Sequence, residues 1–354
     1  MSELASSNTI EQDSTYKGST ESISVEVTYQ IIGSIMTSSS PRKVSFYFQC
    51  AVLVVAVVGV AANGIVLYAM VASKQHKKNV LIFNQNVLDC VSCLFLFLRT
   101  PVELSKIYLS GTGGYWLCLM LLSYAGSWTA NLGSLVNLAA IGIERYLKVV
   151  HHVWAKKKLQ NWMIYSTITF TWICGIVIAA AITVPTTSVV NGVCHAGIIF
   201  LKHETARKAI AVWDFLSFYA IVLLISVLCY GHILVAIRRQ AKVMAAHSGQ
   251  GTNTAGNEQS QKIQTSVIKT MILVSGLFAF TWGPVYAYTL FNSFHPELII
   301  DHSGLYTVLS IAYLYICINP FIYATKFDPV KRILLGLIPF KKNSMQTSES
   351  EGNT

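Results

Sequence analysis

Three polar residues, Glu144, Arg145 and Tyr146, follow a stretch of fifteen uncharged residues, 127–141. An acid, a base and a phenol therefore stand at the edge of an apolar segment. The simplest reading of an Arg there is that it reaches water along its own apolar stem. Asp89 lies near the centre of another apolar segment, where a charge costs about 2.5–3.5 kcal/mol on insertion scales. It must be hydrated, neutralised or ion-paired, so it is a candidate functional residue.

Other polar side chains and prolines recur inside apolar segments. Ser134 lies about three helical turns before the Glu-Arg-Tyr run. Asn319 precedes Pro320, which frees a backbone carbonyl one turn earlier for polar neighbours or water to satisfy. Pro284 follows Trp282 by two residues, so a helix kink is expected beside a large aromatic ring.

Membrane-spanning helices must position these residues. The 354-residue chain is 53% hydrophobic and 12% charged, about half the charge of a typical soluble domain. A run of roughly 20 apolar residues crosses the hydrocarbon core as a helix, because backbone amides in lipid must be bonded internally. The sequence predicts seven such segments, which we call spans one to seven: 44–72, 79–105, 115–149, 162–185, 209–237, 265–292 and 303–325.

Lys and Arg predict the orientation of the spans. With the N-terminus outside, the cytoplasmic segments carry fifteen Lys and Arg residues and the outer segments carry seven. Positively charged loops stay inside, so we expect a multi-pass plasma-membrane protein with an external N-terminus. The formal charge of +10 then reflects membrane topology. No basic soluble domain is present that would predict a nucleic-acid partner.

The predicted fold class is an all-α membrane protein, a seven-transmembrane helix bundle with a short amphipathic helix 8. Residues 1–43 are an extracellular tail, 44–325 the bundle, 326–340 an interfacial helix and 341–354 a cytoplasmic tail of disordered composition.

Of eight cysteines, only Cys118 and Cys194 fall on the outer side. Because that side is oxidising, a disulfide between them is expected.

Taken in order along the chain, these motifs resemble the class A (rhodopsin-like) G-protein-coupled receptors. The resemblance covers about residues 44–340. It rests on Asn63, Asn84, Asp89, the Glu-Arg-Tyr run, Trp172, Tyr230, Phe278, the Thr-Trp-Gly-Pro run at 281–284, the Asn-Pro-Phe-Ile-Tyr run at 319–323 and the segment 326–337.

The resemblance implies roles for these residues. Glu144 would restrain Arg145 until the cytoplasmic ends open and Arg145 contacts a heterotrimeric G protein, with arrestin as a further partner. The implied activation switch comprises Glu144, Arg145, Tyr146, Tyr230, Phe278, Trp282, Pro284, Asn319, Pro320 and Tyr323. Asp89, Ser134 and Asn319 would hold water and an allosteric sodium ion; no other cofactor is expected.

Four positions depart from the family pattern. Cys118 precedes Arg145 by 27 residues, somewhat more than the usual spacing. Val222 stands where span five commonly has a proline, and Thr281 where a cysteine commonly precedes the tryptophan. Gln264 replaces an acid that would pair with Arg145, so appreciable basal activity is expected.

The ligand class is less defined by the sequence. Tyr313 stands where a retinal pigment has its lysine, and Ser127 where an amine receptor has an aspartate. Asp214 is a substitute anchor for a cation, or else a hydrated acid or a partner for Arg99 or His195. The predicted ligand-binding residues are Ser127, Trp128, Asn131, Asp214, Trp282, Tyr286, Tyr306 and Tyr313, with Arg99, Glu103, Tyr124 and Trp213 at similar depth.

The outer loop 186–208 is long enough to shape a peptide site, so a peptide is the first expectation and an amine or other small molecule the second. A transporter is the alternative from another class. It predicts inverted repeats and several midplane charges, whereas the sequence shows no such repeat and one clear midplane charge, Asp89. Metal-ligand spacing and nucleophile motifs are not apparent, so no enzymatic activity is expected.

Overall fold

A computed structural model describes residues 39–196, 203–247, 255–295 and 302–337. Its helices are α1 (Ser39–Ala72), α2 (Gln75–Lys78), α3 (Val80–Leu104), α4 (Gly111–Leu117), α5 (Ala125–Val150), α6 (His152–Lys158), α7 (Asn161–Thr186), α8 (Glu204–Asp214), α9 (Ile221–His247), α10 (Ala255–Phe294), α11 (His302–Lys326) and α12 (Asp328–Leu337). Spans one, two and four are α1, α3 and α7, and span three is α4 and α5 with the residues between them. Span five is α8 with α9, span six is α10 and span seven is α11.

The predicted tails fall almost wholly outside the described residues. From Gln49 onward the chain forms one compact unit. Before it, only the first residues of α1 are described, and the 341–354 tail is not. The amphipathic helix predicted after span seven is α12, on which Val330 is buried and Lys331 and Arg332 are exposed.

Six of these helices are long and apolar enough to cross a membrane: Ser45–Ala72, Val80–Leu104, Asn161–Thr186, Glu204–Gln240, Ile268–Phe294 and Gly304–Lys326. Span three is the exception within the described ranges. Its buried Ser127, Asn131, Ser134 and Asn137 lower its hydropathy. It packs against spans two, four and five. These neighbours shield it from lipid, so it can carry polar side chains that an isolated span could not.

Within the described residues, two π-helical turns interrupt the spans. One, Cys118–Leu122, lies at the outer end of span three and is followed by Tyr124 in the left-handed conformation (φ 64°). The helix then breaks at Ser123 and Tyr124, and α5 begins at Ala125, so extra residues are taken up between Cys118 and α5. This explains how the long spacing from Cys118 to Arg145 is accommodated. The other, Phe215–Ala220, ends two residues before the buried Val222, which stands where the family commonly has a proline.

The outer loop contains a β-hairpin that was not predicted. Strands β1 (Thr187–Val190) and β2 (Val193–Ala196) pair antiparallel, with Val190 opposite Val193. Asn191 and Gly192 form the turn with φ 52° and 76°, the positive values that two-residue hairpins require. A Cβ on Gly192 would lie 2.1 Å from the Tyr108 ring, so both conformation and space call for glycine there.

The predicted disulfide between Cys118 and Cys194 is confirmed. The two Cα atoms are 5.5 Å apart, and the bond links residues separated by 76 positions. It joins β2 to the π turn that opens span three. The hairpin is therefore fixed to the outer end of the bundle.

Buried amide side chains connect the spans. Asn84 Oδ1 accepts a hydrogen bond from Trp172 Nε1 at 3.1 Å, and Asn84 Nδ2 donates to Asn137 Oδ1 at 3.0 Å. Asn63 Nδ2 donates to the Ile316 carbonyl at 3.1 Å. That carbonyl lies four residues before Pro320, which has no N–H to offer it. The side chain of span one thus satisfies the backbone group that the proline frees in span seven.

Candidate functional site

The centre of the bundle holds a fully buried carboxylate, Asp89. Its Oδ1 accepts hydrogen bonds from Ser134 Oγ at 3.0 Å and from Gln85 Nε2 at 3.4 Å. Its Oδ2 accepts one from Asn319 Nδ2 at 2.9 Å. Spans two, three and seven therefore bring together the three residues that were predicted to share a pocket.

Gln85 is a fourth member of this pocket that the sequence reasoning missed. Its Nε2 donates to Ser134 Oγ as well as to Asp89, and its Oε1 accepts from Asn137 Nδ2 at 2.8 Å. Gln85 precedes Asp89 by four residues, which places both on the same helix face. That spacing was the available signal.

The oxygen atoms at Asp89 are of the kind that binds a small hard cation. They are the two carboxylate oxygens, Ser134 Oγ and Asn319 Oδ1, which is buried and has no hydrogen-bond partner among the described residues. Hard cations take oxygen ligands of this kind. None of the ion pairs in the described chain involves Asp89. The sodium ion stays a prediction, and Gln85 adds a donor that the predicted ligand set did not include.

At the end of the bundle predicted to face the cytoplasm, Arg145 is buried and has two partners. Its Nη2 lies 2.8 Å from Asn79 Oδ1 and 3.5 Å from Glu144 Oε2. Glu144 Oε1 is bound to Lys148 Nζ at 2.5 Å. The expected pair of Glu144 with Arg145 is therefore present but long, and Glu144 shares its charge with a lysine. Asn79, the residue that precedes α3, makes the shorter contact and was not predicted.

Two other predicted switch residues near this end are Tyr230 on span five and Tyr146 on span three. Tyr230 is buried, and a Cβ built on Gly142 would lie 3.8 Å from its hydroxyl, so Tyr230 reaches span three one turn before Arg145. Tyr146 points elsewhere, with its hydroxyl 3.2 Å from His151 Nε2. The side chain of Gln264 falls outside the described residues.

Span six carries a buried aromatic cluster. Phe278 and Trp282 are 0% and 2% exposed. The Trp282 ring lies 5.9 Å from that of Trp128 on span three, and the Phe278 ring 5.9 Å from that of Tyr315 on span seven. The cluster connects the outer half of the bundle to the polar core, because Tyr315 lies one turn before Asn319.

Pro284 lies inside span six, and a side chain from span five bonds the backbone of span six nearby. Tyr219 Oη donates to the Ala279 carbonyl at 3.1 Å. A Cβ on Gly283 would lie 2.7 Å from that hydroxyl, so the glycine leaves room for this contact. On span seven, Tyr323 is buried beyond Pro320, and its hydroxyl has no hydrogen-bond partner in the described part of the chain.

In the outer half of the bundle, the positive charge of Arg99 is neutralised by an acid. Arg99 is buried, pairs with Glu103, and lies 3.6 Å from the centre of the Tyr124 ring. That ring stacks on Tyr313 with centroids 6.3 Å apart. Arg99 therefore does not pair with Asp214, which was one of the roles considered for that acid.

Asp214 has no ion-pair partner among the described residues. Two polar groups of span six are unsatisfied: Tyr286 Oη and Trp282 Nε1 are buried and form no hydrogen bond within the described ranges. Asn131 is engaged internally, since its Oδ1 accepts from Ser92 Oγ at 3.0 Å. Of the remaining predicted ligand residues, Ser127 is buried, Trp128 and Tyr306 are half-buried, and Tyr313 is the ring stacked on Tyr124.

Comparison with known proteins agrees with this geometry. Somatostatin receptor type 3 of Mus musculus is 25% identical over 288 residues, which cover 77% of this chain and 63% of that receptor. This chain thus spans less than two thirds of that relative. Somatostatin receptor type 4 of Rattus norvegicus is 23% identical over 288 residues, covering 80% of this chain and 70% of that receptor.

A structural comparison supports the same fold. The crystal structure of squid rhodopsin superposes with a TM-score of 0.68 at 20% identity, over 83% of this chain and 85% of that one. The family described as "7 transmembrane receptor (rhodopsin family)" matches residues 62–323, from the middle of span one to the end of the Asn-Pro-Phe-Ile-Tyr run. The chain belongs to the rhodopsin family of seven-transmembrane receptors.

Proposed function

We propose that the chain is a ligand-activated receptor of the plasma membrane, with its N-terminus outside, that signals through a heterotrimeric G protein. The observation that carries the proposal is the cytoplasmic contact of Arg145. Its guanidinium is held by Asn79 and Glu144 inside the mouth of the bundle, where an opened bundle would present it to a partner.

The proposed mechanism is a shift between two states of the bundle. A ligand can shift this equilibrium only by its differential affinity for the two states. A ligand that contacts Trp282 reaches Phe278 through span six, and through Tyr315 the polar core around Asp89. Moving span six away from span three then releases the cytoplasmic end. Tyr230 and Tyr323 would support the open state.

The ligand we propose is a peptide that carries a cationic group. Support comes from Asp214, which is half-buried and has no ion-pair partner among the described residues, because a partly desolvated acid without a partner favours a cation. Tyr286 Oη and Trp282 Nε1 of span six lack hydrogen-bond partners within the same residues. The hairpin fixed by the disulfide adds a wall at the outer end. The similarity to two somatostatin receptors also supports a peptide ligand. An amine or other small cation is the second candidate, since Asp214 offers a counter-ion where Ser127 does not.

Nucleotide exchange on purified G proteins tests the function. The chain is reconstituted with a panel of heterotrimers, with and without a library of basic peptides. We expect exchange with at least one heterotrimer, and loss of it in Arg145→Ala. Lys148→Ala is the control, because it removes a neighbouring cation and leaves Arg145 in place. Exchange that is equal in the parent and in Arg145→Ala would refute the proposal.

The same preparation separates a receptor from a transporter. A transporter would accumulate a labelled substrate in vesicles without any G protein.

Epitope tags placed at the two chain ends test the orientation. We expect the N-terminal tag to be accessible on intact cells and the C-terminal tag only after permeabilisation. Arrestin recruitment is measured with the same cells, after ligand addition.

A further inference from the structure

The side chain of Gln85 stands between two of the residues that were predicted to hold sodium. Its Nε2 donates hydrogen bonds to Ser134 Oγ and to Asp89 Oδ1. The other end of the amide is fixed by Asn137, whose Nδ2 donates to Gln85 Oε1 at 2.8 Å and to the Leu81 carbonyl at 2.9 Å. Because Asn137 supplies a donor to Oε1, the NH₂ end of Gln85 must face the carboxylate.

An amide NH₂ group cannot coordinate a cation and repels one. A sodium ion bound by Asp89 Oδ1 and Ser134 Oγ would have to displace Gln85 Nε2 from both atoms. It would also require Gln85 to turn, which breaks the bond from Asn137. The carboxylate already has three donors, from Gln85, Ser134 and Asn319.

We propose that Gln85 is a built-in competitor for the cation. Its amide takes the side of Asp89 that a sodium ion would use, so the parent chain binds sodium weakly and the buried carboxylate is stabilised by side-chain donors. The residue thus sets the affinity of the Asp89 pocket for the ion, and removing its NH₂ group exposes Asp89 Oδ1 and Ser134 Oγ to the cation.

The test compares the unfolding midpoint of the purified parent chain and of Gln85→Met during a titration with NaCl at constant ionic strength, balanced with choline chloride. A bound ion at free concentration c stabilises the folded state by RT ln(1 + c/Kd), so a fit of the midpoint against sodium concentration gives the half-saturating concentration. The half-saturating sodium concentration should fall by about tenfold or more in Gln85→Met, because a hydrogen bond to a charged group is lost as a competitor. Adding Asp89→Asn to Gln85→Met should abolish the response.

Asn86→Leu is the matched control. Asn86 is also buried on span two, but its Nδ2 bonds only the Ile82 carbonyl of its own helix, at 2.9 Å. Its sodium titration should match that of the parent. Gln85→Asn is the second variant, should Gln85→Met not fold. The shorter amide cannot bridge Asp89 and Ser134 while held by Asn137, so its half-saturating concentration should fall too.

Equal half-saturation in the parent and in the Gln85 variants would overturn the proposal, as would the absence of any sodium response in those variants. The measurement follows unfolding of the protein. Its outcome therefore does not depend on whether the chain couples to a G protein.

Discussion

The contact between Arg145 and Asn79 gives the sharpest prediction about basal signalling. Asn79 Oδ1 accepts from Arg145 Nη2 at 2.8 Å, and both residues are buried. A hydrogen bond to a charged group contributes about 1.5–3 kcal/mol. If opening the bundle breaks this bond, Asn79→Ala removes that free energy from the closed state only. The ratio of open to closed molecules should then rise by about 10- to 150-fold, at 1.4 kcal/mol per factor of ten.

The assay is ligand-free nucleotide exchange on the G protein, normalised to the amount of receptor at the membrane. Asn79→Ala should raise exchange until the open state saturates. Asn79→Asp keeps the acceptor and adds a charge, so it should lower exchange below the parent level. Gln75→Ala removes the other partner of Asn79, at 2.9 Å, and should change little. If Asn79→Ala reduces exchange, or if the Ala and Asp variants move it in the same direction, Asn79 is not a restraint on the closed state.

Three further predictions concern the outer end of the bundle. Asp214→Asn should lower the potency of a cationic peptide agonist by about tenfold or more, with no change for a neutral analogue in the same exchange assay. Gly192→Ala should lower the thermal midpoint and the amount of receptor at the cell surface, because φ is 76° and the new Cβ would meet the Tyr108 ring; Gly113→Ala, which meets nothing within 4 Å, should leave both unchanged. Cys194→Ser should destabilise the chain by about 4–5 kcal/mol on the chain-entropy model, and reduction of the parent should give the same thermal shift.

The sequence predicted the core of the site because depth in the membrane can be read from the chain. Asp89, Ser134 and Asn319 each lie at a countable distance from the ends of their spans, and helical rise converts those counts into a common depth. Pro320 was expected to free a carbonyl. The structure identifies the group as Ile316 and its partner as Asn63, which the count alone could not do.

The contacts and turns that were not predicted depend on how each helix is rotated about its axis and on local backbone geometry. Asn79 and Arg145 are 66 positions apart, and their contact requires that spans two and three face each other with the correct rotation. The π turn at Cys118 is set by packing and by the disulfide, which no periodicity reports. The hairpin is a different case. Its Asn191-Gly192 turn between apolar residues is a readable signal that was not used.

Span three also has a consequence for biosynthesis. Its hydropathy is lower than that of the six described helices that are long and apolar enough to cross a membrane. In the bundle it packs against spans two, four and five. Insertion depends on the apolar character of the segment presented to the membrane. Span three should therefore leave the translocon only when spans four and five have joined span two in covering its Asn and Ser side chains. A nascent chain truncated before span four should leave this segment in the aqueous channel, and one extended through span five should integrate it.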